Sequence, residues 1–203
     1  MGDDALSEFV PWIQEVRSRL ENPPALRIPP NDARQAAILV PLYVDAGELW
    51  TVLVRRSEGM RNHGGQIAFP GGGVETGEDL WQAALREANE EIALDGKSVL
   101  PLGHLDELSS VSGYRVVPTV GAVPFPLLVE ADQKEIDEVF SVPLSACANP
   151  QWVEERAVTV NQGERWVRIY HVGRHQIWGL TARVLENLVS RLGLSQPAEI
   201  APN

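Results

Sequence analysis

The stretch Gly72-Gly73-Val74-Glu75-Thr76-Gly77-Glu78, followed after seven residues by Arg86-Glu87-Ala88-Asn89-Glu90-Glu91, decides the reading of this chain. Glycines give way abruptly to a helical pattern. Thr76, with Asp79 three residues on, forms a capping arrangement that predicts a helix over 76–94. At about 100° per residue, Trp81, Ala84, Leu85, Ala88 and Ile92 fall on one side and suit burial against a sheet, whereas Glu87, Glu90 and Glu91 gather on another. These carboxylates stand as i, i+3 and i+4, so they repel one another. A hard divalent cation reverses the sign of that repulsion, because Mg²⁺ takes oxygen ligands at about 2.0 Å and is commonly held by a few carboxylates. Arg86, four residues before Glu90, is placed to brace it. An acidic cluster by itself is most often a solvated helix face. What points to a site is the glycine run ahead of it, which lets backbone carbonyls or amides come close to a ligand beside the same carboxylates.

Outward from this segment, residues 36–44 and 48–56 are rich in Ile, Val and Leu and are separated by Asp45-Ala46-Gly47, which predicts a hairpin. Residues 61–77 read as mostly loop, interrupted by a short strand near 66–69. Further strands are expected over 100–108, 116–123, 152–160, 166–172 and 175–178. A closing helix over 180–192 carries Val184, Leu185, Leu188 and Leu192 on one face, with Gly193 at its exit. At the other end, Phe9, Trp12, Ile13, Val16 and Leu20 recur at helical spacing after a Ser7 cap, predicting a helix over 7–20 that Pro23-Pro24 ends. The Pro-rich segment 22–34 reads as a connector. It divides the chain into an N-terminal helix and connector, 1–35, and a main domain, 36–203. Strands mixed with a few helices, without regular βα alternation, argue for an α/β sandwich around a mixed β-sheet.

The 203 residues suffice for one well-buried core, and the formal net charge of −11 opposes capture by nucleic acid or anionic membranes. A phosphate-bearing substrate therefore needs locally placed arginines or a metal. The single Cys147 excludes an internal disulfide. The acidic start, Met1-Gly2-Asp3-Asp4, lacks the basic and apolar pattern of a secretion signal, and the most apolar early run is far shorter than the ~20 residues of a spanning helix, so a cytoplasmic location is expected.

The glycine-to-glutamate segment resembles the signature of the Nudix hydrolases, with Gly72, Glu78, Arg86, Glu87, Ala88, Glu90, Glu91 and Leu94 in register and Ala93 in the place of the last glycine. The resemblance implies a Nudix-type α/β/α sandwich around a mixed β-sheet. It also implies cleavage of a nucleoside diphosphate linked to another moiety, with Mg²⁺ or Mn²⁺ held by Glu87, Glu90, Glu91 and the carbonyl of Gly71 or Gly72. Arg86 is expected to orient a catalytic glutamate. Glu91 is the first candidate to take the proton from water, with Glu135 or Glu138 as outside candidates.

Upstream, Val52-Leu53-Val54-Arg55-Arg56-Ser57, Arg61, Gly65 and Phe69-Pro70-Gly71-Gly72 resemble the additional motif of the coenzyme A pyrophosphatase branch, with Val54 where that motif has Thr. The resemblance implies that Arg56, Ser57, Arg61, Gly65 and Phe69 serve a CoA-like small-molecule substrate, and by family analogy a homodimer. Arg can grip a phosphate bidentately, which suits Arg56 and Arg61, whereas Arg55 points the other way along the strand and is expected to pair with surface acids. The alternatives are hydrolysis of ADP-ribose, NADH or an oxidised nucleotide, or a non-catalytic nucleotide-sensing domain. His171 and His175 are expected to be structural, Cys147 a buried inert thiol, and the dispersed tryptophans packing or interface residues.

Overall fold

Strand β1 (Arg34–Asp45) carries an apolar run buried on both faces, as only a central strand can be. The computed structural model describes residues 11–29, 32–60, 63–160 and 163–194, with backbone alone at 159, 160, 163 and 165. β1 turns at Ala46 and Gly47 into β2 (Glu48–Arg56), pairing Leu42–Asp45 antiparallel with Glu48–Thr51. The two strands then part. Pro41, which has no N–H to offer a ladder, stands beside the divergence, and its carbonyl accepts from the Thr51 hydroxyl at 2.9 Å.

Into the gap runs the segment between the motifs. β3 (Ile67–Ala68) pairs with Val54 and Arg55 of β2, and β4 (Gly71–Gly73) pairs antiparallel with Ala36–Ile38 of β1. On its other side β1 runs parallel to β7 (Tyr114–Ala122) over nine residue pairs, and β7 carries β5 (Leu100–His104) and β6 (Leu108–Ser109) antiparallel. β8 (Ile136–Pro143) lies antiparallel to β2. The sheet is therefore mixed, as the irregular alternation of elements requires. A second, antiparallel sheet contains β9 (Val153–Val160), β10 (Gly163–Val172) and β11 (His175–Ile177).

The period-two alternation of β1 sorts two cores. Ala37, Leu39 and Tyr43, with Val52 and Val54, face helix α2 (Leu80–Ile92), whose Ala83, Ala84, Ala88 and Ile92 are small or apolar enough for close approach. Ile38, Val40 and Leu42, with Leu53, face α1 (Pro11–Glu21) through Ile13, Val16 and Leu20, and α4 (Gly179–Arg191) through Val184, Leu185, Leu188 and Val189. This is an α/β/α sandwich. A short helix, α3 (Leu144–Ala148), follows β8. The Pro-rich connector is tied down by side chains: Asp106 accepts from the Leu26 amide at 2.9 Å, Glu107 from the Ile28 amide at 2.8 Å, and Arg191 donates to the Pro23 carbonyl at 2.6 Å. Among the described residues no helix is long and apolar enough to cross a membrane.

Four expectations are corrected. Helix α2 starts at Leu80, not at Thr76: Asp79 is the cap, accepting from the Gln82 amide at 2.8 Å while the Gln82 side chain accepts from the Asp79 amide at 3.0 Å. Gly71–Gly73 is a strand within the expected loop, because β1 supplies a free edge that outweighs poor intrinsic propensity. The expected strand over 100–108 is two strands, with Leu105–Glu107 between them. Residues 136–143, for which no strand is expected from the acidic sequence, form β8. Ser7 and Phe9 of the first helix lie outside the described residues.

Candidate active site

Helix α2 is anchored by its capping box at one end and by Ala93 in the left-handed conformation, φ 54°, at the other. Its inner stripe runs Ala84, Ala88 and then Glu91, because positions seven apart on a helix return to within about 20°. Glu91 therefore lies further inward than the common face expected for it with Glu87 and Glu90: its side chain is 2% exposed. Both carboxylate oxygens are engaged, one accepting from Arg56 Nη1 at 2.9 Å and the other from the Gly71 amide at 3.1 Å. Burial pushes the Glu91 carboxyl up to about 7, against the pull of Arg56 and the Gly71 amide.

Glu87 and Glu90 are held by a different arginine. Arg86 grips Glu78 bidentately, Nε at 2.8 Å and Nη2 at 3.2 Å, and Nη2 also donates to the Gly73 carbonyl at 3.0 Å. Its Nη1 then donates to Glu87 at 3.0 Å and to Glu90 at 3.2 Å. Arg86 holds the Glu78 carboxyl below its usual range, while burial raises that of Glu87. Glu78 is the residue whose work the sequence reading left unassigned. It is a signature position, and the structure makes it the anchor of Arg86. The Glu87 carboxylate lies over the α-carbon of Gly72, where a Cβ would stand 2.5 Å from one oxygen and 2.6 Å from the other.

Among the described residues no three acidic, His or Cys side chains converge closely enough to hold a metal ion; Glu91 is engaged by Arg56, and Glu87 and Glu90 by Arg86. The donor set nevertheless suits a hard divalent cation. Every donor is oxygen, Gly72 leaves room for the Glu87 carboxylate that a side chain there would exclude, and four carboxyl groups (Glu78, Glu87, Glu90, Glu91) face two guanidiniums.

The other expected residues divide. Ser57 donates to Asp137 at 2.5 Å, so its hydroxyl serves the β2–β8 pairing. Gly65, φ 72°, closes the turn that returns an amide to the Arg56 carbonyl at 3.0 Å. Phe69 is 2% exposed and belongs to the core, so its side chain is not presented to a ligand. Arg61 lies outside the described residues. Val54, where the motif has Thr, is fully buried against α2, so the missing hydroxyl removes no exposed contact. Arg55 pairs with Asp137 at 3.3 Å and Glu138 at 3.5 Å, as expected. Of the outside candidates for proton acceptor, Glu138 is committed to Arg174 at 2.5 Å, His175 at 3.4 Å and Arg55, which together hold its carboxyl low despite burial. Glu135 is half-exposed, 3.9 Å from Arg56. His171 bonds Glu154 and His175 stacks on Phe140, both structural roles, and Cys147 is buried.

Comparison with known proteins identifies the family and the fold. Residues 33–186 match the NUDIX domain. An uncharacterized Nudix hydrolase NudL of Pectobacterium atrosepticum is 35% identical over 192 residues, covering 93% of this chain and 95% of that protein. The corresponding protein of Klebsiella pneumoniae subsp. pneumoniae is 37% identical over 166 residues, covering 79% and 83%. The crystal structure of a MutT/nudix family protein from Enterococcus faecalis superposes with a TM-score of 0.54 at 14% identity, over 92% of this chain and 76% of that one. The NUDIX hydrolase from Alicyclobacillus acidocaldarius gives 0.50 at 19% identity, over 79% and 92%. Similarity along nearly the whole chain, on top of a signature helix folded against its glycine strand, means that this chain belongs to the Nudix hydrolase family, enzymes that cleave diphosphate linkages.

Proposed function

We propose that the chain is a divalent-metal-dependent coenzyme A diphosphatase, which splits CoA or its thioesters into adenosine 3′,5′-bisphosphate and 4′-phosphopantetheine or its acyl form. The observation that supports this reading is one hydrogen bond: Arg56 of the CoA-type motif meets Glu91 of the Nudix signature at 2.9 Å across 35 residues of sequence. This contact between the two motifs supports reading them as parts of one site.

In this reading Glu87, Glu90, Glu91 and the Gly71 carbonyl hold Mg²⁺ or Mn²⁺, which when bound neutralises the diphosphate and lowers the pKa of a water. Arg86 keeps Glu87 and Glu90 oriented through its anchor on Glu78. Glu91, held between Arg56 and the Gly71 amide, is the group assigned to the proton of the attacking water. Arg61 is assigned to substrate phosphate, including the 3′-phosphate that distinguishes CoA.

The test is competition between CoA and 3′-dephospho-CoA in Mg²⁺ or Mn²⁺, with both products identified by mass and Glu91→Gln as control. Loss of a charged hydrogen bond to the 3′-phosphate corresponds to a preference of about tenfold or more in kcat/KM. Equal turnover of the two substrates refutes the assignment and leaves another nucleoside diphosphate derivative as substrate. Binding without turnover points to a sensing domain.

A further inference from the structure

Arg55 and Arg56 are adjacent, yet they reach different elements. Strand alternation puts Val52 and Val54 on the α2 face and Leu53 on the other. The β2–β8 pairing shifts register between Arg55 and Arg56, where Arg56 reaches Glu91 of α2 and Arg55 reaches Asp137 and Glu138 of β8. Arg56 is fixed at both ends. Its amide donates to the Gln66 carbonyl at 2.9 Å, and its own carbonyl accepts from the Gly65 amide at 3.0 Å. Its guanidinium, one-fifth exposed, donates to a carboxylate that is 2% exposed. The Gly71 amide binds the other oxygen of that carboxylate, so β2, β4 and α2 converge on Glu91 from three directions.

From this geometry we propose that Arg56 is a positioning residue: it clamps Glu91 against the Gly71 amide and acts on the reaction through that carboxylate rather than by gripping substrate phosphate. The inference rests on the reading of Glu91 as part of the diphosphate-cleaving site. The physical reason is the cost of the alternative. A phosphate that drew Arg56 away would leave a buried carboxylate without its partner, and breaking one side of a buried ion pair is among the more expensive changes a protein can undergo. Two occupied oxygens also restrict rotation of the Glu91 side chain, which supplies the geometric precision that catalytic carboxylates need.

The experiment compares the wild type with Arg56→Ala, Arg56→Lys, Glu91→Gln and the R56A/E91Q double variant. Steady-state kinetics on CoA in saturating Mn²⁺ are paired with urea unfolding of the metal-free proteins in EDTA. Arg56→Ala is expected to lower kcat by about 10²-fold while KM for CoA moves by less than about threefold. Arg56→Lys recovers part of kcat, since it restores the charge without the fork. With Glu91→Gln already present, Arg56→Ala costs no more than about a further twofold in kcat and does not lower the urea midpoint again.

A KM raised about tenfold or more with kcat retained would mark Arg56 as a substrate contact and overturn the proposal. So would equal damage from Arg56→Ala in both backgrounds. Should Arg56→Ala fail to fold, the kcat-against-KM split of Arg56→Lys decides. If the wild type leaves CoA intact, the CoA reading alone fails, and the unfolding cycle in EDTA still judges the clamp, with additivity as the refuting result.

Discussion

Three consecutive glycines, Gly71, Gly72 and Gly73, give three different outcomes on substitution by alanine, because each α-carbon faces something different. At Gly71 the backbone has φ 152°, and a Cβ would stand 2.5 Å from both the Ala37 carbonyl oxygen and the Ile38 α-carbon. Both obstacles are backbone in the central strand, so neither can swing aside. Backbone strain of about 1–3 kcal/mol adds to overpacking of about 1–3 kcal/mol. The sum takes a large share of the roughly 5–15 kcal/mol that holds a domain folded. At Gly72 the obstacle is the Glu87 carboxylate, the far end of a flexible side chain. Gly72→Ala should therefore cost less than about 1 kcal/mol of stability but push Glu87 off Arg86, lowering kcat by about tenfold or more. At Gly73 nothing lies within 4 Å, and the bond it accepts from Arg86 is made by its carbonyl, so Gly73→Ala should be silent within about 0.5 kcal/mol. Urea unfolding and hydrolysis assays on the three variants give the pattern unstable, stable but slow, and unchanged. If Gly72→Ala unfolds as readily as Gly71→Ala, or Gly73→Ala is as slow as Gly72→Ala, the account of the glycine strand is wrong.

Other perturbations follow from the same geometry. Arg86→Lys removes the fork that spans Glu78, Glu87 and Glu90, and kinetics should show kcat reduced by about 10²-fold despite the conserved charge. Ala93→Gly relieves a left-handed residue at the end of α2 and, after the entropy glycine gains on unfolding, should raise stability by up to about 1 kcal/mol in urea titrations. Burial pushes the Cys147 thiol from 9.0 up to about 12, so its contribution to stability is whole below pH 9 and is lost as the pH rises towards 12; iodoacetamide should label Cys147 only in unfolded protein. Burial would raise the Asp106 carboxyl, but the Leu26 amide, Arg191 and Asn187 outweigh it and hold it below 3.8. Its contribution is therefore full above pH 3.8 and disappears as the pH falls through the lowered value; acid titration of Asp106→Asn should show a shallower loss of stability than the wild type.

Much of the architecture was legible because it is local. The hairpin of β1 and β2, the helices at both ends and the mixed α/β class follow from apolar periodicity and turn residues within short windows. The elements that escaped depend on distant partners. β8 was hidden by Asp137 and Glu138, which look solvated until Arg55 and Arg174 are seen to neutralise them from β2 and from the turn after β10. β4 was hidden by having no side chains to alternate. Of the site, Arg86 with Glu87 and Glu90 could be placed from helical spacing, since all lie within two turns. Phe69 could not: a motif match marks a position without saying whether its side chain meets a ligand or, as here, the core.

Glu91 shows most clearly where local reasoning ends. Its helical phase, within about 20° of Ala84, already placed it on the inner stripe. A buried glutamate is rare unless paired, however, and the grouping with Glu87 and Glu90 was the natural choice while no partner was in view. The partner lies 35 residues upstream, on a strand that directs one of two consecutive arginines to Glu91 and the other to β8. Residue type cannot distinguish Arg55 from Arg56; parity can. A one-residue slip in β2 would exchange them, bringing Arg55 to the buried carboxylate and sending every apolar residue of the strand to the wrong core. The apolar packing of Val52, Leu53 and Val54 thus fixes the phase of β2 that brings Arg56 to Glu91, even though the pairing with β8 shifts register between the two arginines.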